Sequence, residues 1–364
     1  MDCIYNEEGR EAVIETLVSV VLTNYNYNQY LHEAIDSVLN QTYENFELVI
    51  VDDGSTDDSK EIIQSYYLKY PNKIKVIFKE NGGQGSAFNA GIENANGEII
   101  AFLDADDFWY PRKLEVIVPY HLKYKGVQHN LLINGKYKYV FLRDGTNTRN
   151  AFLNDGFTGT IPTSGLSYSR DELRKNILPV PEEDYIICSD AYIRSQFLIH
   201  NDIFSIDQAL GYYRAHSTNQ FFNNKNRHLN TVLQATNDAL KKYNEQYGCE
   251  LPLHEDHVLI YTQRMYNSLQ VSPNDKRNYV IYGTGYAGNY YYEQLKESGQ
   301  IVAFVSTFPN NDSFNGLPLW DIEKLKEYRN KYSFILIASQ QMAEIYETLL
   351  EHGIEESKII HPRM

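Results

Sequence analysis

Three carboxylates follow directly on a short apolar run, and their spacing is suited to holding a metal ion. The run Ile99 to Leu103 predicts a strand buried on both faces, with Asp104, Asp106 and Asp107 beyond its carboxyl end. Carboxylates this close together repel each other and lose solvation, and a divalent cation would relieve both costs. In an extended segment Asp104 and Asp106 point to the same side, because side chains alternate along a strand. Such oxygen ligands suit Mg²⁺ or Mn²⁺ holding a diphosphate, whereas an isolated acidic turn would simply be solvated.

Two further polar clusters follow predicted strands in the same way. Val18 to Leu22 leads into Thr23 to Asn26, and Phe46 to Val51 leads into Asp52 to Asp58. Segments of helical periodicity separate these strands, which predicts βαβ units and a mostly parallel sheet. The carboxyl ends of parallel strands meet at one edge of a sheet, where ligands bind in such folds. We therefore expect the three clusters to converge on one site.

The elements that must position these clusters follow from periodicity and turn residues. We expect a helix at Tyr30 to Asn40, a second helix capped by Ser55 or Thr56, and a third that begins at Ser86 after a flexible loop, Asn81 to Gly85. Further along, Gly156 to Gly165 predicts a loop near the site, Asp184 to His200 a helix, and Ile203 to Tyr213 a short strand.

Composition limits the classes of function. The chain has 364 residues, enough for two or three domains, and its net charge of −15 argues against nucleic acid or an anionic membrane as a partner. Its three cysteines have no metal-ligand spacing, which fits a reducing compartment. Neither a signal peptide nor a membrane span is predicted. We expect a cytoplasmic protein, with attachment to a membrane surface left open.

The second half of the chain predicts two further regions. Residues 221–276 favour a helical connector between a first domain, 1–220, and a small Rossmann-like domain, 277–364. In the last, Gly283-x-Gly285-x-x-Gly288 stands between a strand and a helix, as in dinucleotide-binding turns. The next strand, Ile301 to Val305, lacks the acidic residue that would hold a ribose. We therefore favour a structural, regulatory or assembly role for this domain over a redox role.

The front of the chain resembles the family 2 glycosyltransferases, which have the GT-A fold. Four motifs carry the resemblance, over about the first 220 residues: Val18 to Asn26, Phe46 to Thr56, Gly85 to Gly91, and Leu103 to Pro111. The resemblance implies transfer of a sugar from a nucleoside diphosphate to an acceptor hydroxyl, with inversion. Such chemistry needs a cation at the diphosphate, a base for the acceptor proton and a polar cradle for the nucleotide.

The resemblance also assigns roles residue by residue. Asp106 matches the metal-binding position, and His216 the position of a residue that approaches the metal or the diphosphate. Asp53 matches the acceptor of a base N–H, which favours uracil and also admits thymine. The remaining nucleotide-sugar contacts that it implies are Thr23, Asn24, Tyr25, Asp52, Gly83, Gln84, Gly85, Asp104 and Ala105. Asp107 is left between support of the loop and capping of the next helix.

The base is assigned to Asp190, with Asp184 and Glu183 as alternatives. Many relatives show a Glu-Asp pair near the place of Glu183-Asp184. The succession after Asp190, a helix, a short strand and then Tyr213 to His216, matches the family better than the same succession counted from Asp184. A carboxylate without a catalytic role would stabilise the amino end of the helix instead.

The sequence thus predicts an α/β enzyme that is an inverting, metal-dependent glycosyltransferase. We expect a UDP-sugar donor, a glycan or protein acceptor as in polysaccharide biosynthesis, and Mn²⁺ or Mg²⁺; a homo-oligomer is left open. One alternative is a sugar nucleotidyltransferase, but that class expects a Gly-rich basic loop where Thr23 to Asn26 stands. The other alternative is a non-catalytic nucleotide-sugar-binding assembly module.

Overall fold

The structure is a computed structural model that divides into two units, Met1–Glu255 and Asp256–Met364. It describes residues 16–134, 137–138, 145, 148–155, 161–216, 225–255, 262–263, 266–267, 269, 271, 277–298, 301–309, 311–339 and 342–360. Part of the predicted loop, 156–160, lies outside these ranges, as does most of the connector beyond Glu255. Each unit is described by itself.

Four parallel strands form the first half of the large sheet. They lie in the order β3-β2-β1-β4: β1 (Val18–Asn24), β2 (Phe46–Asp52), β3 (Ile74–Phe78) and β4 (Ile99–Asp104). The apolar runs of β1, β2 and β4 are almost completely buried, as expected for strands covered on both faces, whereas the edge strand β3 is largely half-buried. Helices α1 (Asn28–Leu39), α2 (Ser59–Lys69) and α3 (Gly83–Asn94) connect them. In register, Asn24 pairs with Asp52 and Thr23 with Asp104, so the polar clusters do meet at one edge.

The second half of this sheet brings distant parts of the chain to that edge. Its strands continue the order as β8-β6-β9-β5, with β7 on β6; they are β5 (Phe108–Trp109), β6 (Gly126–Ile133), β7 (Tyr137–Lys138), β8 (Leu166–Ser169) and β9 (Ile203–Tyr213). Helices α4 (Lys113–His121), α5 (Thr148–Asp155), α6 (Arg170–Glu172) and α7 (Ser189–His200) accompany them. Since β5 pairs with the end of β9, the acidic turn after β4 lies beside the residues that follow Tyr213. The predicted fold class, α/β with a mostly parallel sheet in the first domain, is confirmed.

Three helix starts differ from the sequence predictions. Helix α2 begins at Ser59 behind Asp58, so neither Ser55 nor Thr56 is its cap. Helix α3 begins at Gly83 rather than Ser86, because the carboxylate of Asp53 accepts hydrogen bonds from the Gly82 and Gly83 N–H groups. Helix α7 begins at Ser189 rather than Asp184, since the preceding residues turn and pack against the start of α3.

A long helix, α8 (Lys225–Tyr247), belongs to the first unit. The hydroxyl of Tyr185 donates to Asp238 Oδ2 at 3.0 Å, and Lys242 Nζ donates to Gln196 Oε1 at 3.2 Å, which fixes α8 against α7 and the turn before it. The structure therefore divides the chain after Glu255, whereas the sequence predicts boundaries at 220 and 276.

The second unit is built on a six-stranded sheet in the order β12-β13-β11-β10-β14-β15. Its strands are β10 (Tyr279–Tyr282), β11 (Ile301–Val305), β12 (Ser313–Phe314), β13 (Leu317–Trp320), β14 (Phe334–Ile337) and β15 (Ile359–Ile360), with helices α9 (Tyr286–Leu295), α10 (Ile322–Glu327) and α11 (Met342–Glu351). Gly283 has a φ of 127°, and a Cβ there would lie 2.4 Å from the Ala338 carbonyl oxygen. Where a ribose-binding acid would stand, Thr307 hydrogen-bonds Tyr282. In neither unit does a described helix combine the length and the apolar character needed to cross a bilayer.

Candidate active site

The turn Asp104 to Asp107 is held by backbone contacts at the sheet edge. Ala105 donates its N–H to the Thr23 carbonyl oxygen at 3.2 Å, and Asp107 donates its own to the Asp104 carbonyl oxygen at 3.1 Å. Asp106 and Asp107 are buried, and Asp104 is partly exposed. Three carboxylates are thus concentrated in one tight turn, as the sequence predicts.

Asp107 belongs to the scaffold. Its Oδ2 accepts a hydrogen bond from Ser164 Oγ at 2.6 Å, and its Oδ1 accepts one from the Arg214 N–H at 2.9 Å. Ser164 Oγ in turn accepts the Asp104 N–H at 3.1 Å. Asp107 therefore ties the acidic turn to the Thr163–Gly165 segment and to the chain after β9, which resolves the role that the sequence left unassigned.

His216 lies against Asp106, the residue that the resemblance assigns to the metal. The Nε2 atom of His216 is 3.0 Å from Oδ2 of Asp106. Its ring packs edge-on against Tyr27, with centroids 5.8 Å apart, and tilted against Tyr30 at 4.9 Å. Two aromatic rings at the start of α1 thus fix the imidazole beside the carboxylate.

Arg214 supports the same contact from the other side. Its Nε donates to the Asp106 carbonyl oxygen at 2.9 Å, while its guanidinium pairs with Glu33 and lies over the Tyr30 ring at 4.7 Å. A charged side chain fixed at three points cannot swing freely, so the position of His216, two residues along, is restricted.

The carboxylates at this edge are largely buried and repel one another. Burial, followed by the negative charges of Asp106 and Asp190, raises the pKa of Asp104 to about 8, although hydrogen bonds from Thr163 and Thr23 act in the opposite direction. Burial, followed by the negative charges of Asp106 and Asp104, also raises the pKa of Asp107. The pKa of the Tyr27 phenol is raised by its burial and by these carboxylates, so that phenol stays protonated. A divalent cation would relieve this repulsion.

The residues present fit a magnesium or manganese ion completed by a substrate. Asp106 and His216 offer one carboxylate oxygen and one imidazole nitrogen in contact. Within the described ranges, no three His, Cys, Asp or Glu side chains form a ready-made metal site. Mg²⁺ commonly takes only one or two protein ligands and fills its shell with phosphate oxygens and water, so a partial donor set of this kind suits it.

Asn24 and Asp52 shape the nucleotide side of the edge. Asn24 Nδ2 donates to Asp52 Oδ2 at 2.8 Å and to Ser55 Oγ at 3.1 Å, and Asp52 Oδ1 accepts the Ser55 N–H at 3.0 Å. These contacts hold the turn after β2 to the end of β1. Tyr25, in contrast, is 41% exposed next to them, with its ring accessible to a ligand.

Asp53 makes more contacts than the sequence predicts. Its Oδ1 accepts from Lys79 Nζ at 2.6 Å and from the Gly82 N–H at 3.0 Å, and its Oδ2 accepts the Gly83 N–H at 2.7 Å. The carboxylate therefore stabilises the amino end of α3. Recognition of a base by Asp53 stays a prediction, and it would have to share these oxygens.

Gly83, Gln84 and Gly85 form the first turn of α3, not a flexible loop. A Cβ on Gly83 would lie 2.7 Å from an Ile186 methyl carbon, and one on Gly85 would lie 2.9 Å from the Tyr185 carbonyl oxygen. Close packing against residues 185–189 thus requires both glycines. Contact of these three residues with a nucleotide stays a prediction.

Of the candidate bases, Asp190 is the one whose charge affects the acidic turn. Asp190 stands in the first turn of α7, and its negative charge contributes to the raised pKa of Asp104. The Arg194 guanidinium, one helical turn further on, lies 3.6 Å from Asp190 Oδ2. Glu183 and Asp184 are exposed on the turn before α7, whereas Asp190 is partly buried.

Sequence reasoning missed Tyr27, Tyr30, Lys79 and Arg194. Tyr27 directly follows the predicted turn Thr23 to Asn26 and Tyr30 begins the predicted helix, but their types suggest ordinary packing. Thr163 and Ser164 lie in the Gly/Thr/Ser-rich loop that the sequence predicts near the site. In the described part of that loop, Thr163 hydrogen-bonds Asp104, and Ser164 hydrogen-bonds both Asp104 and Asp107.

The chain is similar to known protein families and to proteins that are named glycosyltransferases. Residues 19–165 match the family model described as Glycosyl transferase family 2, and residues 275–360 match the one described as C2185-like, N-terminal. A Nostoc protein called Uncharacterized glycosyltransferase alr2836 is 41% identical over 215 residues, covering 56% of this chain and 66% of its own length. Glycosyltransferase GlyG of Streptococcus pneumoniae is 39% identical over 127 residues, which are 34% of this chain and 40% of GlyG.

The chain thus spans just under two thirds of the Nostoc relative and less than half of GlyG. Among solved structures, S. aureus TarS 1–349 in complex with UDP-GlcNAc has a TM-score of 0.49 and 20% identity, with 71% of this chain and 82% of that chain covered. The match to the Glycosyl transferase family 2 model and the relatives named glycosyltransferases agree with the enzyme class that the sequence predicts.

Proposed function

We propose that this chain, whose first unit contains a family 2 glycosyltransferase domain, transfers a sugar from a UDP-sugar to an acceptor hydroxyl with inversion. The observation that carries the proposal is the convergence of Asp104, Asp106, His216 and Asp190 at one sheet edge. Metal-ligating groups and a separate carboxylate are what a transfer with a diphosphate leaving group requires.

Asp106 and His216 would hold Mn²⁺ or Mg²⁺. When bound, the ion supplies positive charge that stabilises the departing diphosphate. The chain prepares for this by fixing both ligands: Asp106 through the Arg214 contact to its carbonyl oxygen, and His216 between Tyr27 and Tyr30. Ligands held in place beforehand do not have to be ordered when donor and metal bind.

The nucleotide would lie along the ends of β1 and β2. Asp53 accepts from N–H donors in its own chain, and the N–H of uracil is a donor of the same kind. Tyr25 is exposed beside this edge and offers an aromatic face to the base. These features support a uracil nucleotide over one whose ring lacks a donor at that position.

Asp190 would act as the base that takes the proton of the acceptor hydroxyl. Its carboxylate supplies the proton-accepting oxygen that this step needs, and the Arg194 guanidinium, 3.6 Å from Asp190 Oδ2, helps to hold the side chain in position. Attack by the deprotonated oxygen from the side opposite to the diphosphate inverts the configuration of the sugar carbon. The acceptor would be a glycan or protein hydroxyl, and the acidic chain favours an acceptor without strong negative charge.

A screen of donors tests the proposal. The purified protein is incubated with a panel of UDP-, TDP-, GDP- and CMP-sugars in Mn²⁺ or Mg²⁺, and the released nucleotide is measured, with Asp106→Asn as the control variant. We expect slow metal-dependent hydrolysis of one UDP-sugar by the wild type and none by the variant. Failure to release or bind any donor with metal present would contradict the proposal.

A further inference from the structure

Gln84 bridges the first turn of α3 and the first turn of α7. Its backbone N–H donates to the Ile186 carbonyl oxygen at 2.9 Å, and its side-chain Oε1 accepts the Ser189 N–H at 2.9 Å. Ser189 immediately precedes Asp190. One side chain therefore reaches from the nucleotide side of the site to the helix that carries the base.

The contact has little room to adjust. A Cβ on Gly83 would meet Ile186, and a Cβ on Gly85 would meet the Tyr185 carbonyl oxygen and lie 3.2 Å from Ser189 Oγ. The two segments thus approach each other at backbone distance on both sides of Gln84. At this distance a small shift of one segment must move the other.

The α3 end of the bridge is itself anchored. Asp53 accepts the N–H groups of Gly82 and Gly83, at 3.0 and 2.7 Å. Asp53 follows β2 directly, so its hydrogen bonds fix the position of Gln84 relative to the central sheet. Any ligand that engages Asp53 acts on the residues next to Gln84.

The α7 end depends on this external acceptor. Cys188, the N-cap residue of α7, has a φ of 56° and supplies no side-chain hydrogen bond to the helix. The first N–H groups of a helix need acceptors from outside it, and Gln84 provides one for Ser189. Arg194, with Nη1 donating to the Ile161 carbonyl oxygen at 2.8 Å, holds the following turn.

We infer that Gln84 is a positioning residue that sets the orientation of Asp190 relative to the bound donor. The inference rests on the proposed function only for the role of Asp190; the hydrogen bond to Ser189 stands independently of it. Gln84 acts on Asp190 through its hydrogen bond to the backbone of Ser189, and it does not touch the reacting atoms. This differs from the nucleotide contact that the sequence resemblance implies for Gln84.

Three variants test the inference: Gln84→Ala, Gln84→Glu and Asn89→Ala. Asn89 is the matched control, because it also ties α3 to the chain before α7, through paired hydrogen bonds with the backbone of Val180 at 2.8 and 2.9 Å. The measurements are kcat for transfer, UDP affinity by calorimetry, thermal stability and hydrogen exchange of the Ser189 amide.

We expect Gln84→Ala to lower kcat by about 10- to 100-fold, because misplacement of a catalytic group costs rate more than binding. UDP affinity should stay unchanged, and the Ser189 amide should exchange faster. Gln84→Glu keeps an acceptor oxygen and should restore both kcat and slow exchange. Asn89→Ala should keep wild-type kcat.

Unchanged exchange at Ser189 in Gln84→Ala would overturn the inference, and so would an equal loss of kcat in Asn89→Ala. A lower UDP affinity with unchanged kcat would return Gln84 to a nucleotide-binding role. If the wild type uses no donor, the proposed function fails, while the exchange experiment still decides whether Gln84 fixes Ser189.

Discussion

His216 Nε2 lies 3.0 Å from Asp106 Oδ2, although the two residues are 110 positions apart in the chain. The contact forms because β5 pairs with the end of β9, so the acidic turn and the residues after Tyr213 meet. An imidazole and a carboxylate at this distance either bond to each other or share an ion. The pairing thus makes a metal-binding role for His216 testable.

We predict that His216→Ala weakens metal binding at the site without unfolding the protein. Loss of one of two protein ligands should raise the metal concentration for half-maximal activity by about 10-fold or more, in line with effects of altered metal-site contacts. The measurement is a Mn²⁺ titration of donor hydrolysis. The control is His32→Ala, because the exposed His32 ring contacts the Tyr66 hydroxyl of α2 and the variant should keep the wild-type titration. Identical titrations for both variants would remove His216 from the metal site.

We predict that Asp190→Asn abolishes transfer and leaves UDP binding intact. An amide keeps the shape of the side chain but cannot accept the proton, so kcat should fall by about 10²- to 10⁴-fold. Asp184→Asn should behave as wild type, since Asp184 is exposed on the turn before α7. The measurements are kcat for transfer and UDP affinity by calorimetry. If Asp184→Asn loses transfer and Asp190→Asn does not, the base assignment is wrong.

The sequence predicts the strands and the sheet edge well because their signals are local. Apolar runs such as Ile99 to Leu103 indicate buried strands without reference to the rest of the chain. Parallel connections then place Asp52 and Asp104 at one edge of the sheet. The roles of individual carboxylates are not local. Asp107 could be assigned only after folding, because its partners Ser164 and Arg214 are 57 and 107 positions away.

The start of α3 shows the same limit. The glycines around Gln84 suggest a loop, since glycine weakens helices and favours turns. What makes them helical is the Asp53 carboxylate at the amino end, together with the backbone of residues 185–189, which leaves no space for a Cβ. Both partners come from other parts of the chain, and the residues next to Gly83 in the sequence do not predict these contacts.

We predict that Ser164→Ala destabilises the first unit by about 1 to 3 kcal/mol, because it removes a hydrogen bond from the buried carboxylate of Asp107. The same hydroxyl accepts the Asp104 N–H, so the acidic turn should loosen and the apparent donor affinity should fall as well. Chemical denaturation and donor KM measure the two effects. Ser65→Ala is the control: its hydroxyl bonds Ile62 within exposed α2, and its loss should be nearly neutral. A fully stable Ser164→Ala would mean that Asp107 does not depend on this donor.

Lys113 carries an unusual buried amine in the core of the first unit. Its side chain is fully buried, its Nζ lies 3.2 Å from the centroid of the Trp109 ring, and it has no hydrogen-bond partner among the described residues. Burial lowers the pKa of the Lys113 amine well below its ordinary value. Burial, together with the charge of Lys113, also lowers the pKa of His129 to about 3.

We predict that Lys113→Met stabilises the first unit at neutral pH, by about 1 kcal/mol or more, because Met fills the space without an unpaired polar group. The sign of the pH dependence follows from the lowered pKa. Unfolding lets Lys113 take up a proton at any pH between its folded and unfolded pKa values, so the wild type loses about 1.4 kcal/mol per pH unit as pH falls through that range. The gain from Lys113→Met should therefore shrink as pH rises from 6.5 to 9.5.

Trp109 fluorescence in a Trp320→Phe background reports this transition, since the chain has two tryptophans and Trp320 belongs to the second unit. The control is Lys123→Met. Lys123 also lies over an aromatic ring, that of Tyr124, at 5.3 Å, but it is exposed, so its stability difference from wild type should not change with pH. A Lys113→Met protein that melts below the wild type at pH 6.5 would mean that the amine contributes more through the Trp109 ring than its burial takes away.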